Sequence, residues 1–417
     1  RTSDTPGSTW TVASAAGSVS GNTVVFSGIN FTSASDGFYT VAYTVASASS
    51  TFGSPGGVSS GLGLWLKADA GVNGISNARF WNDYSGNCMY GLGTNSPVLT
   101  INASNYNPGI QLNGSGNSNT ASTISSYFSL PSGFSSFSGA ASFVAASPTV
   151  TRNNARFFDF ANGSANNNIY FARSARTTQL LYEVYNASTG TQKTASAGSL
   201  DNSSIQLFSS NQLASTNAVT LQKNGLNYSL GAAQAIQNVS RTKNYIGLSN
   251  TNTDSTFGGL ISEIILYNRE LTTTEQQKIN TYLSLKYGLT LDRTGMSSTY
   301  LNTNGDVIYT DGGTYWNNII GIGRDDVESF YQKQSKTTTD TVRLYRSLNL
   351  TNQLNTSTIS NSPSYLVMGS DGARMCSVFS SATHNEKPSG IITRLAREWK
   401  IYNTNFSDSY SLDIKLN

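Results

Sequence analysis

The residues of this chain that could form a hydrolytic site are its acidic side chains. Cleavage of a glycosidic bond by an enzyme of the common type needs two carboxylates about 5–9 Å apart. The glutamates are dispersed along the chain, at Glu183, Glu263, Glu270, Glu275, Glu328, Glu386 and Glu398. Carboxylates from different strands could still meet in the fold, so the spacing leaves that arrangement open. We expect a protein that is not an enzyme.

Histidine and cysteine chemistry is limited by how few of these residues there are. A nucleophilic serine or cysteine needs a histidine base oriented by a third group. The single histidine, His384, lies in the loop-like stretch Ser381–Glu386, and we interpret it as a solvated loop residue. Cys88 and Cys376 are too few for a disulfide framework or a zinc site. We expect them to be unpaired and mostly buried.

Composition favours a β-rich, exported protein. Of the 417 residues 37% are hydrophobic and 11% aromatic, but only 12% are charged, about half the usual fraction. Serine, threonine, asparagine and glycine take their place, which is typical of short strands with polar turns and of secreted or surface proteins. The net charge is +3 without runs of like charge, so nothing indicates nucleic-acid binding. No apolar run is long enough to span a bilayer.

The chain is organised around residues 258–292. Between Leu260 and Tyr267 both faces carry apolar side chains, which predicts a strand buried on both sides. The alternation assigns the side chains to two sets: Ile261, Ile265 and Tyr267 on one face, and Leu260, Ile264 and Leu266 on the other.

A helix over residues 273–287 is predicted next. Thr272 and Glu275 have the spacing of a capping box, and Gly288 supplies the left-handed residue that ends a helix. The positions Ile279, Tyr282, Leu283 and Lys286 predict one narrow packing stripe, with the amine of Lys286 reaching solvent at its edge. A lone helix among strands should cover one flank of a sandwich.

The domain organisation follows from these elements. Residues 1–50 are typical of the end of a small β-sandwich-like domain, and residues 51–60 of a Ser/Gly/Pro linker. Residues 61–292 predict an antiparallel β-sandwich closed by the helix, and residues 293–417 a second, truncated β-rich domain. Because the chain opens at Arg1 without a signal peptide and closes on an alternating strand pattern, we expect a piece of a longer polypeptide.

Many short strands separated by Gly, Asn and Ser turns are predicted, with a type I′ hairpin at Asn224-Gly225. Before residue 50 they are Val24–Phe26 and Phe38–Val45. In the sandwich they are Leu62–Leu66, Ala78–Trp81, Ile110–Asn113, Tyr127–Leu130, Ala141–Ala146, Ala155–Phe160, Ile169–Arg173, Gln179–Tyr185, Ile205–Phe208, Val219–Lys223, Tyr245–Leu248 and Leu260–Tyr267. In the last segment they are Asp306–Tyr309, Ile319–Gly323, Thr341–Tyr345, Tyr365–Met368, Arg397–Tyr402 and Ser411–Leu416.

Several sequence blocks carry a family resemblance. The segments that carry it are Pro55–Val58, Leu64–Val72, Trp81–Asn87, Phe257–Leu271 and Tyr282–Gly288, followed by Ile322–Asp326, Gln332–Lys336 and Arg397–Lys400. The first group resembles the laminin-G-like (concanavalin A-like) jelly-roll modules of secreted Bacteroidota proteins, and the second is similar to the β-domain that commonly follows them. The resemblance covers most of residues 55–417 and is loose between Asn95 and Thr256.

This resemblance implies export through the type IX secretion route and display on the cell surface, as in gliding-motility and attachment adhesins. The sorting domain expected at the end of such proteins is absent from this sequence. The fold implied is all-β, a jelly roll with one flanking helix between smaller β-domains.

Calcium is the ion that the resemblance suggests, since laminin-G-like folds often bind it. Calcium takes carboxylate and carbonyl oxygens. Asp83, in Trp81–Asn87, is the first candidate ligand, followed by Asp69 and Glu263. The alternative is that Asp83 caps its own turn by accepting hydrogen bonds from the following backbone.

Two short patterns resemble the O-glycosylation sites of exported Bacteroidota proteins. They are Asp340-Thr-Val342 and Asp254-Ser-Thr256, so Thr341 and Ser255 are the predicted modified residues.

The hypothesis from the sequence is a non-enzymatic segment of a secreted surface adhesin or fibre that attaches by many weak contacts. Its expected partners are surface glycans or neighbouring modules of the same chain, and the secretion machinery during export. The alternative is a carbohydrate-binding module of a secreted polysaccharide-degrading enzyme. Aromatic residues would form a sugar site, but the sequence does not separate such a platform from the core. Tyr182 and Tyr185, for example, should lie on opposite faces of one strand.

Overall fold

The structure, a computed structural model, describes most of the chain after residue 52 and four short strands before it. The described ranges are 53–114, 125–149, 151–195, 200, 202, 204–251, 253–292, 299–339, 341–379 and 393–415. The chain divides into two compact units, Arg1–Thr51 and Phe52–Asn417.

In the first unit the described residues form two antiparallel pairs. Strand β1 (Thr2–Ser3) pairs with β4 (Phe38–Tyr39), and β2 (Ser18–Ser20) pairs with β3 (Thr23–Val25). Phe26 and residues 40–45 of the predicted strands lie outside the described residues.

The second unit begins with the strands of a sandwich, and all of the pairings between them are antiparallel. In chain order they are β5 (Leu62–Lys67), β6 (Val72–Asn73), β7 (Phe80–Trp81), β8 (Gly91–Thr94), β9 (Val98–Ser104), β10 (Asn107–Leu112), β11 (Tyr127–Leu130), β12 (Ala140–Pro148), β13 (Arg156–Ala161), β14 (Ile169–Arg173), β15 (Leu180–Asn186), β16 (Thr189–Thr194), β17 (Gln206–Gln212), β18 (Ala218–Lys223), β19 (Leu226–Ala232), β20 (Lys243–Ile246) and β21 (Gly259–Tyr267).

Within the described residues these strands form two sheets. One has nine strands in the order β16-β15-β14-β13-β20-β11-β8-β7-β6. The other has eight, in the order β19-β18-β17-β12-β21-β10-β9, with β5 also paired to β21. Alternate side chains of both sheets, such as Trp81, Phe158 and Ile264, fill the core between them. The predicted all-β, antiparallel sandwich is therefore confirmed.

Strand β21 lies at the centre of the eight-stranded sheet. It pairs with β12 along one edge, and with β10 and then β5 along the other. A register shift opposite Ala145 and Ala146 leaves Ser262 as an extra residue. The predicted two-face alternation is wrong at this point, because the bulge moves Ile261 into the inter-sheet core beside Ile264 and Leu266. Beyond the bulge, Ile265 and Tyr267 belong to a second core on the opposite face.

Helix α1 runs from Thr273 to Tyr287, as the sequence predicts. Thr272 and Glu275 form the capping box, and Gly288 adopts a left-handed conformation with φ 67°. The helix does not bury one narrow stripe, because every residue from Ile279 to Tyr287 is buried. Sheets pack against it from two directions, so amphipathic periodicity underestimates its burial.

We expect Thr272→Ala to lower the free energy of unfolding by about 1 kcal/mol. The Thr272 Oγ1 accepts a hydrogen bond from the Glu275 amide at 3.3 Å, and alanine leaves that amide without its cap. Urea unfolding measures the effect. Thr274→Ala, at an exposed position of the first turn, is the control and should change stability by less than about 0.5 kcal/mol. Equal effects of the two variants would contradict the capping role.

Further strands follow the helix. They are β22 (Thr299–Leu301), β23 (Val307–Thr310), β24 (Asn317–Asp325), β25 (Phe330–Gln332), β26 (Gln334–Lys336), β27 (Val342–Tyr345), β28 (Ser364–Ser370), β29 (Ser377–Phe379), β30 (Thr393–Leu395), β31 (Trp399–Thr404) and β32 (Ser411–Ile414).

As far as the chain is described, the largest sheet here has four strands in the order β25-β24-β28-β31. One of its faces packs against helix α1, so that Tyr282, Phe330 and Tyr365 share one core with Ile265 and Phe143 of the sandwich. Its other face packs against the sheet β26-β27-β32. The helix is therefore a layer shared by the sandwich and the last segment.

The segment predicted as a linker differs from expectation where it is described. Pro55–Gly57 forms a 3₁₀ turn, and Ser54, Pro55, Gly56 and Val58 are buried. A Cβ on Gly56 would meet the backbone of Lys278 and Ile279 within 3 Å. Glycine is needed because the chain passes directly against the helix, and this close packing does not suit a flexible linker.

The hairpin prediction is confirmed. Lys223 pairs with Leu226, and Asn224 and Gly225 have φ values of 47° and 83°, as a type I′ turn requires. Among the helices of the described residues, none has the length and apolar character needed to cross a membrane.

Candidate functional site

The nine-stranded sheet carries a continuous row of side chains on its outer face. Directly paired residues of neighbouring strands share a face, and the pairings join eight residues into one line, which we call the outer row. Its members, from β7 to β16, are Phe80, Leu92, Ser129, Tyr245, Asp159, Tyr170, Glu183 and Gln192.

Strand alternation explains why this row faces outward. Five neighbours of its members along the strands lie in the core between the two sheets: Trp81, Phe128, Ile246, Phe158 and Phe171. Because successive side chains of a strand point to opposite faces, the outer row must lie on the face away from the second sheet.

One end of the outer row is apolar and accessible. Phe80 and Leu92 are each 41% exposed, although they are large apolar side chains. The half-buried ring of Tyr245 packs edge-on against Tyr127, with centroids 5.9 Å apart. Ser129 lies between Leu92 and Tyr245 in the row. This end is a shallow platform of rings with a hydroxyl among them.

The other end of the row is polar and buried. Arg156 Nη2 lies 2.6 Å from Asp254 Oδ2, and its Nε lies 3.6 Å from Asp159 Oδ2. The guanidinium stacks 3.6 Å from the ring centroid of Tyr170, whose hydroxyl donates to Glu183. We call these residues the arginine–carboxylate cluster: Arg156, Asp159, Tyr170, Glu183 and Asp254.

The carboxylates of this cluster are enclosed and fully engaged. Asp159 has no exposed surface and also accepts hydrogen bonds from the Asn168 amide and the Asn250 backbone N–H, each at 2.9 Å. Burial raises the pKa of Asp159 although Arg156 opposes the rise, and burial likewise raises the pKa of Glu183. The cluster therefore forms a rigid, hydrogen-bonded floor beside the exposed platform.

A second constellation lies on the opposite side of the sandwich, beneath helix α1. Lys286 Nζ lies 2.8 Å from both Asp69 Oδ1 and Glu263 Oε2. Glu263 also accepts hydrogen bonds from Trp65 Nε1 at 2.6 Å, the Tyr282 hydroxyl at 2.9 Å and the Tyr287 hydroxyl at 2.8 Å.

A further lysine, Lys67, joins this site. Its Nζ lies 4.5 Å from the ring centroid of Trp65. We call Lys67, Asp69, Glu263 and Lys286 the lysine–carboxylate cluster. Burial lowers the pKa of Lys67. Burial also opposes the charge of Lys286, but Asp69 and Glu263 raise its pKa overall, and Lys286 and Lys67 in turn lower that of Asp69.

The predicted exposure of Lys286 is wrong, because only 3% of the residue is exposed. The bulge at Ser262 aims Glu263 toward the helix, and Asp69 follows the end of β5, so both acids meet the lysine in the layer below α1. The helical pattern showed that Lys286 lies at the edge of the stripe. That pattern contains no information about Asp69 and Glu263, which lie 217 and 23 residues away along the chain.

The predicted calcium ligands do not fit a calcium ion as arranged. Lys286 Nζ lies between Asp69 and Glu263, where a cation would bind. Asp83 accepts hydrogen bonds from the backbone of Trp65, Ser85 and Met89 at 2.9–3.0 Å, as in the turn-capping alternative. Within the described ranges no group of three or more His, Cys, Asp or Glu residues could hold a metal.

The two predicted glycosylation sites have different surroundings. Thr341 is half-buried before β27, and its hydroxyl lies 3.0 Å from that of Thr339. Ser255 is fully buried, so a glycan attached there would require this turn to open.

The remaining reactive residues are also placed. Cys88 and Cys376 are free, but the structure corrects their predicted burial because both are exposed. His384 and Glu386 lie outside the described residues.

Two carboxylates from neighbouring elements, Asp325 and Glu328, lie close together around one tyrosine. The sequence left such a meeting of acids open. The Tyr365 hydroxyl lies 3.0 Å from Asp325 Oδ2 and 2.9 Å from Glu328 Oε1. Burial, and secondarily the charge of Asp325, raise the pKa of Glu328 well above its usual value. The two acids are 0% and 3% exposed, so no substrate reaches them in this conformation.

The outer row was missed by the sequence analysis because its signal is distributed. Each strand contributes one residue, and only the registers of eight strands place them in line. Tyr185 gave a partial signal: it lies half-buried beside Tyr170, while Tyr182 is buried in the inter-sheet core and donates to Gln212 at 2.9 Å. The predicted opposite orientation of these two tyrosines is confirmed.

A large open cavity of about 670 Å³ also lies near the start of helix α1. Most of its lining residues are of polar type, among them Asn211, Thr220, Asn227, Glu270 and Gln276. It lacks the exposed rings of the outer row.

Comparisons with known proteins give limited matches. Residues 275–417 match the family model DUF8202, a domain of unknown function. No curated protein matches the chain.

Several solved structures are similar in part. Domain 4 of AbnA, a GH43 extracellular arabinanase from Geobacillus stearothermophilus, in complex with arabinotriose, is 16% identical with a TM-score of 0.37. The match covers 52% of this chain and 97% of that domain. The sialidase of Trypanosoma rangeli, in complex with sialic acid, is 15% identical with a TM-score of 0.35, covering 53% of this chain and 32% of the sialidase. The CBM40 of Ruminococcus gnavus IT-sialidase, bound to α2,3-sialyllactose, is 11% identical with a TM-score of 0.30, covering 37% and 94%.

Proposed function

We propose that the sandwich binds glycans, without catalysis, through the apolar end of the outer row. The chain would thereby serve as a segment of a secreted cell-surface adhesin or surface fibre. The observation that carries the proposal is the alignment of Phe80, Leu92, Ser129 and Tyr245 across four adjacent strands. With neighbouring strands about 4.8 Å apart, the line is about 14 Å long, which suits a short run of sugar rings.

The chemistry of this end matches that of a sugar. A pyranose ring has an apolar face of C–H groups and a rim of hydroxyls. Aromatic rings attract partly positive C–H groups through their negative faces, and a tyrosine also offers a hydroxyl at its wet edge. Phe80 and Tyr245 supply the rings, while Ser129 and the Tyr245 hydroxyl supply polar groups.

The buried polar end supports binding rather than bond cleavage. A glycosidase needs one carboxylate that is free to attack, or to activate water, and one carboxylic acid facing the bond. Asp159 and Glu183 instead face Arg156, Asn168, Tyr170 and Gln192. Their role in the proposal is to hold strands β13–β15 rigid beside the platform.

An adhesive role needs only weak individual sites. A shallow platform buries little surface, so one site should bind in the millimolar to micromolar range, and attachment would gain its strength from repetition of modules along a fibre. The low charge content and the resemblance to exported surface proteins support this setting.

A glycan array followed by calorimetric titration tests the proposal. Phe80→Ala and Tyr245→Ala should each weaken binding of an array-positive glycan about tenfold or more, the equivalent of roughly 1.4 kcal/mol. Tyr410→Ala is the matched control, because Tyr410 is 45% exposed but lies near the end of the last segment, and it should leave the affinity unchanged.

Two results would count against this function. The absence of any bound glycan on the array would contradict the proposed glycan binding. Release of reducing sugar from a bound polysaccharide would contradict the proposal that the protein acts without catalysis.

A further inference from the structure

The lysine–carboxylate cluster lies apart from the outer row, on the other side of the sandwich. It brings two ammonium and two carboxylate groups together under helix α1, so that their charges balance. Lys67, Glu263 and Lys286 are each no more than 5% exposed, and the side chain of Asp69 is 19% exposed. Burying charges is costly even when they are paired. Apolar side chains of similar volume would fill the same space without that cost.

The contacts place an amine against two carboxylates with different surroundings. Lys286 Nζ lies 2.8 Å from Asp69 Oδ1, so the Asp69 carboxyl carbon is only one bond farther along. Lys286 Nζ also lies 2.8 Å from Glu263 Oε2. Three aromatic donors, Trp65 Nε1 and the hydroxyls of Tyr282 and Tyr287, hold Glu263 in place. Asp69 lies beside two cations, Lys286 and Lys67.

We propose that Lys286 and Asp69 condense into an intramolecular amide bond, with Glu263 as the proton acceptor. Because the fold holds the amine and the carboxylate together, their reaction is unimolecular. Effective molarities of about 10⁵–10⁸ M are known for well-oriented groups of this kind. The enclosed site also limits access of the water that would reverse the reaction. Glu263 is fixed by its three donors, whereas Asp69 is bonded to the amine with which it would react.

The step balances without any further reagent. One proton of the Lys286 ammonium passes to Glu263, and the freed Nζ lone pair forms a bond to Asp69 Cγ. The bond from Cγ to one carboxylate oxygen then breaks. That oxygen leaves as water with two protons, the one held by Glu263 and a second one lost from Nζ. The amide keeps the third, and Glu263 returns to its carboxylate form.

The remaining charges stay paired after the reaction. Condensation removes one positive and one negative charge, and it leaves Lys67 and Glu263 as one cation and one anion. The number of buried charges falls from four to two, while the net charge of the cluster stays at zero. This relieves part of the cost of burying ions.

The bond would tie the last turn of α1 to the end of β5, across 217 residue positions. Strand β5 pairs with β21, and α1 covers β21, so the crosslink would enclose the sandwich. A chain pulled from its two ends could then not extend between Asp69 and Lys286. Such a bond would suit a segment of a surface fibre under tension, although the inference does not depend on glycan binding.

Mass spectrometry of the full chain under denaturing conditions tests the proposal. The wild-type protein should be about 18 Da lighter than its sequence mass, since one water is lost. A tryptic digest should show no cleavage after Lys286 and a branched peptide joining it to Asp69. Glu263→Gln should bring the mass back to the sequence value. Lys286→Arg, which keeps the positive charge, should likewise show no loss of water.

The outcomes are decisive in both directions. A wild-type mass equal to the sequence mass, with normal cleavage after Lys286, would show a permanent ion pair and overturn the proposal. A loss of water that persists in Lys286→Arg would place the modification elsewhere and overturn it as well. An amide that still forms in Glu263→Gln would remove the assigned role of Glu263.

Discussion

Replacing Lys286 with methionine is expected to lower the free energy of unfolding by at least about 3–5 kcal/mol. Removing one partner from a buried ion pair typically costs that much, and the variant also cannot form the amide proposed above. Methionine fills much of the same volume, so the loss of stability comes from the missing charge and the missing crosslink and not from a cavity. Asp69 and Glu263 would remain in the interior without the ammonium that lies 2.8 Å from each of them. Urea unfolding at neutral pH measures the difference.

Two further variants separate charge from packing. Lys278→Met removes a half-buried lysine from the same helix and should cost less than about 1 kcal/mol. Adding Asp69→Asn and Glu263→Gln to Lys286→Met removes the two unpaired charges and should recover part of the lost stability. If Lys286→Met behaved like Lys278→Met, the cluster would not be a significant source of stability.

Replacing Arg156 with leucine is expected to cost a similar amount, about 3–5 kcal/mol near pH 8. Arg156 is 1% exposed and pairs with both Asp159 and Asp254, so leucine leaves two buried carboxylates without their cation. Arg176→Leu, at an exposed position in the turn after β14, is the control and should be close to neutral.

The effect of Arg156→Leu should depend on pH in a defined direction. Burial raises the pKa of folded Asp159 even with Arg156 present, and loss of the guanidinium raises it further. At pH values between the pKa of Asp159 in the unfolded state and its pKa in the folded state, the folded state binds more protons. The free energy of unfolding therefore falls as the pH rises through that range. The variant should therefore be closer to wild type at pH 5 than at pH 8. A larger deficit at pH 5 would show that Asp159 is not the group left unpaired.

Local signals predicted the elements of this fold well. The capping box at Thr272 and the left-handed Gly288 define the helix by hydrogen bonds made within a few residues, so both ends could be read from the sequence. Asn224-Gly225 defines its hairpin in the same way, through backbone conformations that these two residues adopt at little cost.

Strands without a clear pattern were missed. β8 (Gly91–Thr94), β9 (Val98–Ser104) and β16 (Thr189–Thr194) do not alternate apolar and polar residues cleanly. Their positions depend on hydrogen bonds to neighbouring strands, and such pairing is not visible in a short segment. The bulge at Ser262 was missed for the same reason, because it is defined by its register against β12.

The sequence by itself determined the all-β class, the central strand, the helix and its ends, because each depends on side-chain periodicity or on contacts within one turn. Only the tertiary structure decided that Phe80 and Tyr245 align on one face, that Arg156 joins Asp159 and Asp254, and that Lys286 meets Asp69 and Glu263. These groups come together from distant parts of the chain through strand register and layer packing. A charged residue shows its type in the sequence, but its partner and its burial are properties of the folded chain.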